Sequence, residues 1–300
     1  MTLYYSLNSY LRKKFGEKVW KIPVDAGFTC PNIDGTKGYG GCTYCNNSSF
    51  VHTENGSIEN QILGRMENLR KRKKINKFIV YFQSYTNTHG TLSIVKEKIS
   101  SALVSDDIVG IHIGTRPDAL DDSKIKYLKK LNEKYEIILE MGLQSSKNST
   151  LKNINRGHSF EEYDKMLQKL HKNNLKVCSH IIFGLPEETE KDMLDTVKYL
   201  AENNIHSVKF HHLHIVRNTK MAEDYENKPF DLLNESKYIE ILSEALTILP
   251  PETVIARLVG DAPDELQIAP NWPKNKNDFL KKLNNFMLDN HMYQGKYFIG

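Results

Sequence analysis

The chain has 300 residues, 39% of them hydrophobic and 26% charged, enough to bury a sizeable core and unlike a disordered or low-complexity polymer. A net charge of +4 and a pI of about 8.6 permit a polyanionic partner but fall short of a dedicated nucleic-acid packer. No apolar run approaches the roughly 20 residues that cross a bilayer, and residues 1–16 carry neither a long apolar stretch nor a small-residue cleavage site, so a cytoplasmic protein with no membrane partner is expected.

In chain order, short apolar runs alternate with longer amphipathic ones. Strands are predicted at 19–25, 77–83, 109–114, 137–142, 177–183 and 207–215, with helices at 58–73, 92–104, 122–133, 160–173 and 189–203. This alternation is the pattern of a parallel sheet built from strand–helix units. Six units are too few for a closed eight-unit barrel, so the expected fold is α/β, a partial (β/α)6 TIM-like barrel with helices outside. The tail holds a helix at 236–249, a short apolar piece at 254–258 and a last helix near 278–288, read as a cap. The expected organisation is thus an N-terminal extension at 1–18, the barrel at 19–230 and the C-terminal cap at 231–300. In such folds chemistry gathers after the C-terminal ends of the strands, where Cys30, Gln83 to Asn87, Thr115 to Asp118 and Gln144 stand.

Three of the four cysteines, Cys30, Cys42 and Cys45, fall within sixteen residues after the first strand. Such a cluster points to metal or redox chemistry rather than a disulfide framework. A structural zinc site would need a fourth ligand, such as His52, whereas three thiolates on an iron–sulfur cluster leave one iron open. The glycines between Gly35 and Gly41 let backbone amides approach the cluster sulfurs. Cys178, alone in an apolar strand, is read as a small core residue. His211, His212 and His214 end the last strand, where alternation puts His212 and His214 on one face and His211 on the other, with either face open to the cavity.

With Tyr44 just before the last cysteine, this pattern resembles the radical S-adenosylmethionine superfamily. The segments Val24 to Asn32, Asp34 to Gly38, Tyr81 to Thr88, Thr115 to Asp118, Glu140 to Gln144, Arg156 to His158, Gly184 to Thr189 and Arg257 to Asp261 narrow the resemblance to the bacterial YtqA/YhcC type, related to the radical domain of the Elongator catalytic subunit. The resemblance implies a [4Fe-4S] cluster on Cys30, Cys42 and Cys45. Its open iron would chelate S-adenosyl-L-methionine, and reductive cleavage would yield a 5′-deoxyadenosyl radical. It further implies cofactor contacts from Tyr44, from Gln83 and Asn87 to the methionine amine, and from Glu140 and Gln144 to the ribose or the aminoacyl end. Arg156 would meet the methionine carboxylate, and Ile182 and Gly184 the adenine. Asp118, His212 and His214 are the candidate catalytic residues, although Asp118 could equally pin its loop by pairing with Arg116.

The YtqA-type resemblance implies tRNA as partner, with an electron donor such as flavodoxin or ferredoxin. The implied reaction converts a wobble-uridine 5-carboxymethylaminomethyl side chain to the aminomethyl form. Arg70 to Lys74, Lys13-Lys14, Lys129-Lys130 and Lys281-Lys282 offer positive charge for phosphates, although Arg70 to Lys74 also reads as a solvated helix end favoured by the helix dipole. Tyr39, Tyr81 and Tyr85 offer rings for an extruded base. A radical enzyme on a small metabolite, or a non-catalytic iron–sulfur or zinc protein that binds RNA, are the competing readings.

Overall fold

The computed structural model describes residues 2–46 and 56–299; His52 lies outside them. Seven strands form one parallel sheet: β1 (Val19–Val24), β2 (Lys77–Phe82), β3 (Ile108–Thr115), β4 (Glu136–Gln144), β5 (Lys176–Phe183), β6 (Ser207–His212) and β8 (Val254–Arg257). The preceding short strand β7 (Ile215–Val216) instead pairs antiparallel with β9 (Gln267–Ala269). Helices α2 (Ile58–Lys73), α3 (Leu92–Ser100), α4 (Asp122–Leu131), α6 (Phe160–Lys172) and α7 (Glu190–Glu202) provide the crossovers, and α5 (Asn148–Asn153) adds a short turn after β4. The remaining helices are α1 (Leu7–Phe15), α8 (Lys220–Asn227), α9 (Glu235–Ile248) and α10 (Lys276–Asp289).

Alternation along each strand sorts the side chains into two sets. Ile22, Val80, Ile111, Leu139, Ile181 and Phe210 belong to the core between sheet and helices. Their neighbours Lys21, Tyr81, His112, Glu140, His180 and Lys209 meet each other through hydrogen bonds and ring contacts on the opposite, concave face. All nine residues of β4 are buried, so its concave-side polar groups depend on protein partners.

The sequence reading differs from the structure at two strands, and α1, α5 and α8 lie where it predicted no helix. The apolar piece at 254–258, read as part of the cap, contributes β8, whose Val254 and Ile255 pair in register with Ser207 and Val208; a short, mostly apolar run cannot be assigned to sheet or cap by periodicity alone. The strand predicted at 207–215 breaks after His212, and Leu213 donates its N–H to the Phe183 carbonyl at 2.8 Å. His214 therefore lies beyond the strand, and the alternation drawn through it does not hold.

Candidate active site at the cysteine mouth

Cys30 follows the C-terminal end of β1, and its carbonyl accepts the N–H groups of Ile33 and Asp34 at 2.8 and 3.1 Å. The N–H of Cys45 donates to the Cys42 carbonyl at 3.0 Å, closing a turn that presents both sulfurs to one side. Asn32 anchors the loop by donating its amide to the Asn155 carbonyl at 2.6 Å and lying 3.8 Å from Cys42 Sγ, while Asn155 donates to the Gly41 carbonyl at 2.7 Å. Gly157, at φ 73°, passes so close to Asn32 that a Cβ there would sit 2.5 Å from its Oδ1. The backbone after β4 and the cysteine loop thus fix one another.

The cysteines line a cavity of about 190 Å³ whose floor includes Tyr81, Glu140 and His180 and whose wall includes Gln144 and Arg156. A second cavity of about 130 Å³ shares Tyr44, Cys45, Gln144 and His180 and extends to Ile182, His211 and His214. Larger grooves lie elsewhere, including one of about 400 Å³ between α2 and β1. The smaller pair is the candidate site because thiols and buried polar groups converge there.

Arg156 divides its guanidinium between Cys42 Sγ (Nη1, 3.6 Å) and the Gly142 carbonyl (Nη2, 2.7 Å), leaving Nε buried without a partner. Gly142 leaves room for this, since a Cβ there would meet Arg156 Nη2 at 2.5 Å. Gln144 stands at φ 73° where β4 and β5 slip register, a left-handed conformation that a non-glycine residue seldom adopts and that turns its side chain out of the ladder at the cavity rim. Burial, with Cys42 and Cys30 adding to it, pushes the Cys45 thiol up to about 12. A cation beside the Cys45 thiol would favour its thiolate, and iron bound there would supply that charge. Among the described residues no three metal-ligating groups converge on a single-ion site. A four-iron cluster requires instead that each thiolate bind its own iron.

Below the mouth, Glu140 accepts from Lys21, Lys209, His112 Nδ1 (3.0 Å) and His180 Nε2 (3.0 Å). Burial alone would raise its pKa, but Lys209 and Lys21 hold the carboxyl well below the usual range. Its four acceptor directions are taken, so it is the hub of the barrel interior, not an open ligand for a ribose. A lysine or histidine in the middle of an otherwise apolar strand was the signal for Lys21, His112 and Lys209, which sequence reading missed.

Several expected site residues are placed differently. Asn87 donates its Nδ2 to the Phe82, Ser84 and Gly114 carbonyls at 2.9 to 3.2 Å and closes the turn after β2, with its Oδ1 buried and unpartnered, and Gln83 lines the cavity. Asp118 is gripped by Arg116 through two bonds of 2.9 Å and by Lys37 at 3.2 Å. Although burial opposes it, Arg116 lowers its pKa to about 2, so Asp118 pins its loop. Gly184 faces Leu233, 3.1 Å from where its Cβ would be, and donates its N–H to Met193 Sδ, away from the cavity. His212 borders the smaller cavity, but its ring stacks on Trp272 at 4.4 Å and meets Tyr238 edge-on. It is His211, 5.7 Å from the His180 ring, that joins the concave side. Tyr81, only 8% exposed, sits too deep to stack on a base.

Fold and site define a cluster-binding half-barrel enzyme. The radical SAM superfamily model matches residues 36–200, and the Radical_SAM C-terminal domain model matches residues 205–288. The chain is 40% identical to YtqA of Bacillus subtilis over 298 residues, covering 98% of this chain and 92% of that one. It is 30% identical over 158 residues to a tRNA uridine(34) acetyltransferase of Methanocaldococcus infernus, covering 52% of this chain and 29% of that one. Among solved structures, Methanocaldococcus infernus Elp3 with an N-terminal deletion superposes with a TM-score of 0.74 at 21% identity, covering 92% of this chain and 64% of that one.

The chain belongs to the radical SAM superfamily and is a radical S-adenosylmethionine enzyme of the YtqA type. Its cofactors are a [4Fe-4S] cluster and S-adenosylmethionine, which together supply a 5′-deoxyadenosyl radical. The residues present fit them: three thiols at one mouth, a guanidinium beside Cys42, and Gln144 on the rim.

Proposed function

We propose that this enzyme acts on a wobble uridine of tRNA, converting a 5-carboxymethylaminomethyl side chain to the aminomethyl form: the N–CH2 bond of the carboxymethyl group breaks and that group leaves as glyoxylate, water supplying the aldehyde oxygen and S-adenosylmethionine accepting the two electrons as it becomes methionine and 5′-deoxyadenosine. The observation that carries this reading is the 30% identity to a tRNA uridine(34) acetyltransferase across half of the chain. The site supports it through the rim: Tyr39 is 79% exposed and Tyr85 36% exposed beside the cysteine loop, offering faces on which an extruded base can stack. In this assignment Cys30, Cys42 and Cys45 hold the cluster. Tyr44, Gln83, Gln144, Arg156 and Ile182 surround S-adenosylmethionine, and His211 and His214 face the substrate. Flavodoxin or ferredoxin supplies the electron, and the compartment is the cytoplasm; among the described residues no helix is long and apolar enough to cross a membrane.

A second reading, a small-metabolite substrate, is favoured by the position of the basic run. Arg70 pairs with Asp107 ahead of β3, and Lys73 lies over the ring of Trp20 near the start of β1, so the run sits at the barrel end opposite the cysteines. Mass spectrometry of tRNA nucleosides from cells with and without the gene separates the two. Accumulation of the carboxymethylaminomethyl nucleoside in the deletion strain, reversed by the purified anaerobic enzyme, supports tRNA; identical nucleoside profiles overturn it.

A further inference from the structure

The three cysteine sulfurs are not equivalent. Cys42 is buried, at 7% exposure, whereas Cys30 and Cys45 are partly open. Two side-chain N–H donors converge on Cys42 Sγ, Arg156 Nη1 at 3.6 Å and Asn32 Nδ2 at 3.8 Å. Among the described residues no side-chain or backbone donor bonds the sulfur of Cys30 or Cys45. Both donors are held from behind. Arg156 Nη2 donates to the Gly142 carbonyl at 2.7 Å, and Arg116 Nη1 donates to the Arg156 carbonyl at 2.8 Å. Asn32 Nδ2 gives its other N–H to the Asn155 carbonyl at 2.6 Å. A Cβ on Gly157 or Gly38 would come within 2.5 or 3.0 Å of Asn32 Oδ1, so two glycines leave the amide its space.

Arg156 is 6% exposed, and among the described residues no carboxylate lies within ion-pair distance of it; Asp118, on the loop of Arg116, is taken by Arg116 and Lys37. A buried cation without a counterion is strongly unfavourable. The group this guanidinium faces is the Cys42 sulfur, an anion once it ligates iron. We infer that Arg156 and Asn32 set the reduction potential of the cluster through Cys42, raising it by stabilising the reduced state. Reduction by one electron, delivered by a one-electron protein reductant, adds one negative charge to the cluster and its thiolates; no bond forms or breaks and no proton moves. A fixed positive charge and N–H dipoles against a ligand sulfur favour that more negative state. Arg156 contributes more than Asn32, because its hydrogen bond is charge-assisted and the shorter of the two. The inference concerns the cluster alone and is independent of the tRNA reading.

The test is a redox titration of the anaerobically reconstituted full chain without S-adenosylmethionine, monitored by electron paramagnetic resonance with titanium(III) citrate as reductant. Iron and sulfide content is measured alongside. Arg156→Met should lower the midpoint potential by at least about 59 mV, a tenfold change in the one-electron equilibrium constant. Asn32→Leu should lower it by a smaller amount, and an unmoved potential there removes Asn32 from the pair. A smaller shift or a rise in Arg156→Met, with the cluster fully loaded, overturns the inference. That holds even if S-adenosylmethionine then binds more weakly, since Arg156 would serve the methionine carboxylate alone. If Arg156→Met loads no cluster, the wild-type chain carrying isotopically labelled arginine decides. Pulsed resonance of its reduced cluster should show a hyperfine coupling to guanidinium nitrogen, because Arg156 is the one arginine among the described residues that donates to a cysteine sulfur. Absence of that coupling overturns the inference.

Discussion

Burial, with Cys42 and Cys30 adding to it, raises the Cys45 thiol, which ties its thiolate form to a bound metal. Alanine at any one of the three cysteines is expected to abolish the cluster's absorbance and the formation of 5′-deoxyadenosine, measured by iron and sulfide content and by chromatography. Cys178→Ala should keep the cluster, because its thiol lies a layer lower beside Glu140 and burial raises it to about 11. Gln144→Ala should weaken S-adenosylmethionine binding by about 1 to 3 kcal/mol, the usual cost of losing a hydrogen bond to a charged group. An unchanged affinity in a calorimetric titration would remove Gln144 from the cofactor site. Histidines 211 and 212 show what a single residue's parity decides: one joins the concave side, the other stacks against Trp272.

Strand β4 carries a polar group into the barrel every fourth residue, Glu136, Glu140 and Gln144, about 13 Å apart along the strand. Glu136 meets Tyr10, Lys14 and Lys176 at the lower end, so α1 is bound to the barrel floor by charge as well as packing. Glu140 organises the middle, and Gln144 reaches the mouth. The middle layer makes stability depend on pH. His112, lowered to about 4 in the folded chain, has an unfolded value near 6.5, so between those values the unfolded state binds more protons and stability falls as pH falls. Glu140, held well below its ordinary value, adds a loss below about 4.5. The expected loss from His112 is on the order of 3 kcal/mol between pH 7 and pH 4. Denaturant unfolding across that range checks it, and His112→Gln should flatten the slope.

At the scale of the whole molecule, the two ends of the barrel carry different surfaces. The cysteine mouth opens among Ile33, Tyr39 and Tyr85, while the run from Arg70 to Lys74 closes α2 at the other end. Favoured by the helix dipole, that run is a solvated helix terminus. If tRNA enters at the mouth, Lys71→Glu with Lys74→Glu should change its affinity by less than about twofold. Lys152 in α5 and Lys220 at the start of α8 stand next to segments that bond Thr43 of the cysteine loop, Ile154 at 3.0 Å and Met221 at 2.9 Å; reversing both should weaken binding several-fold and lower the slope of log affinity against log salt by roughly one for each phosphate no longer neutralised. Filter binding across a salt series measures both. A large drop in affinity from the Lys71 and Lys74 changes would move the RNA to the lower end.

The alternation of strand and helix, the cysteine spacing and the positions of Gln83, Gln144 and Arg156 at or beyond the strand ends were legible in the amino-acid sequence, because each depends on local periodicity or on residues a few positions apart. The resemblance of the motifs supplied the cofactors before any coordinates. Tertiary structure decided the rest. Whether Val254–Arg257 joins the sheet depends on pairing with β6, nearly fifty residues earlier in the sequence. That Asn87 and Gly184 brace their loops depends on partners such as Gly114 and Leu233 that only folding brings to them, whereas the Arg116–Asp118 pair, two residues apart, was one of the two readings the sequence offered. The polar layer around Glu140 draws on β1, β3, β5 and β6. That layer becomes visible only when four strands place Lys21, His112, His180 and Lys209 around one carboxylate, because electrostatic interaction is set by distance in space and not by position along the chain.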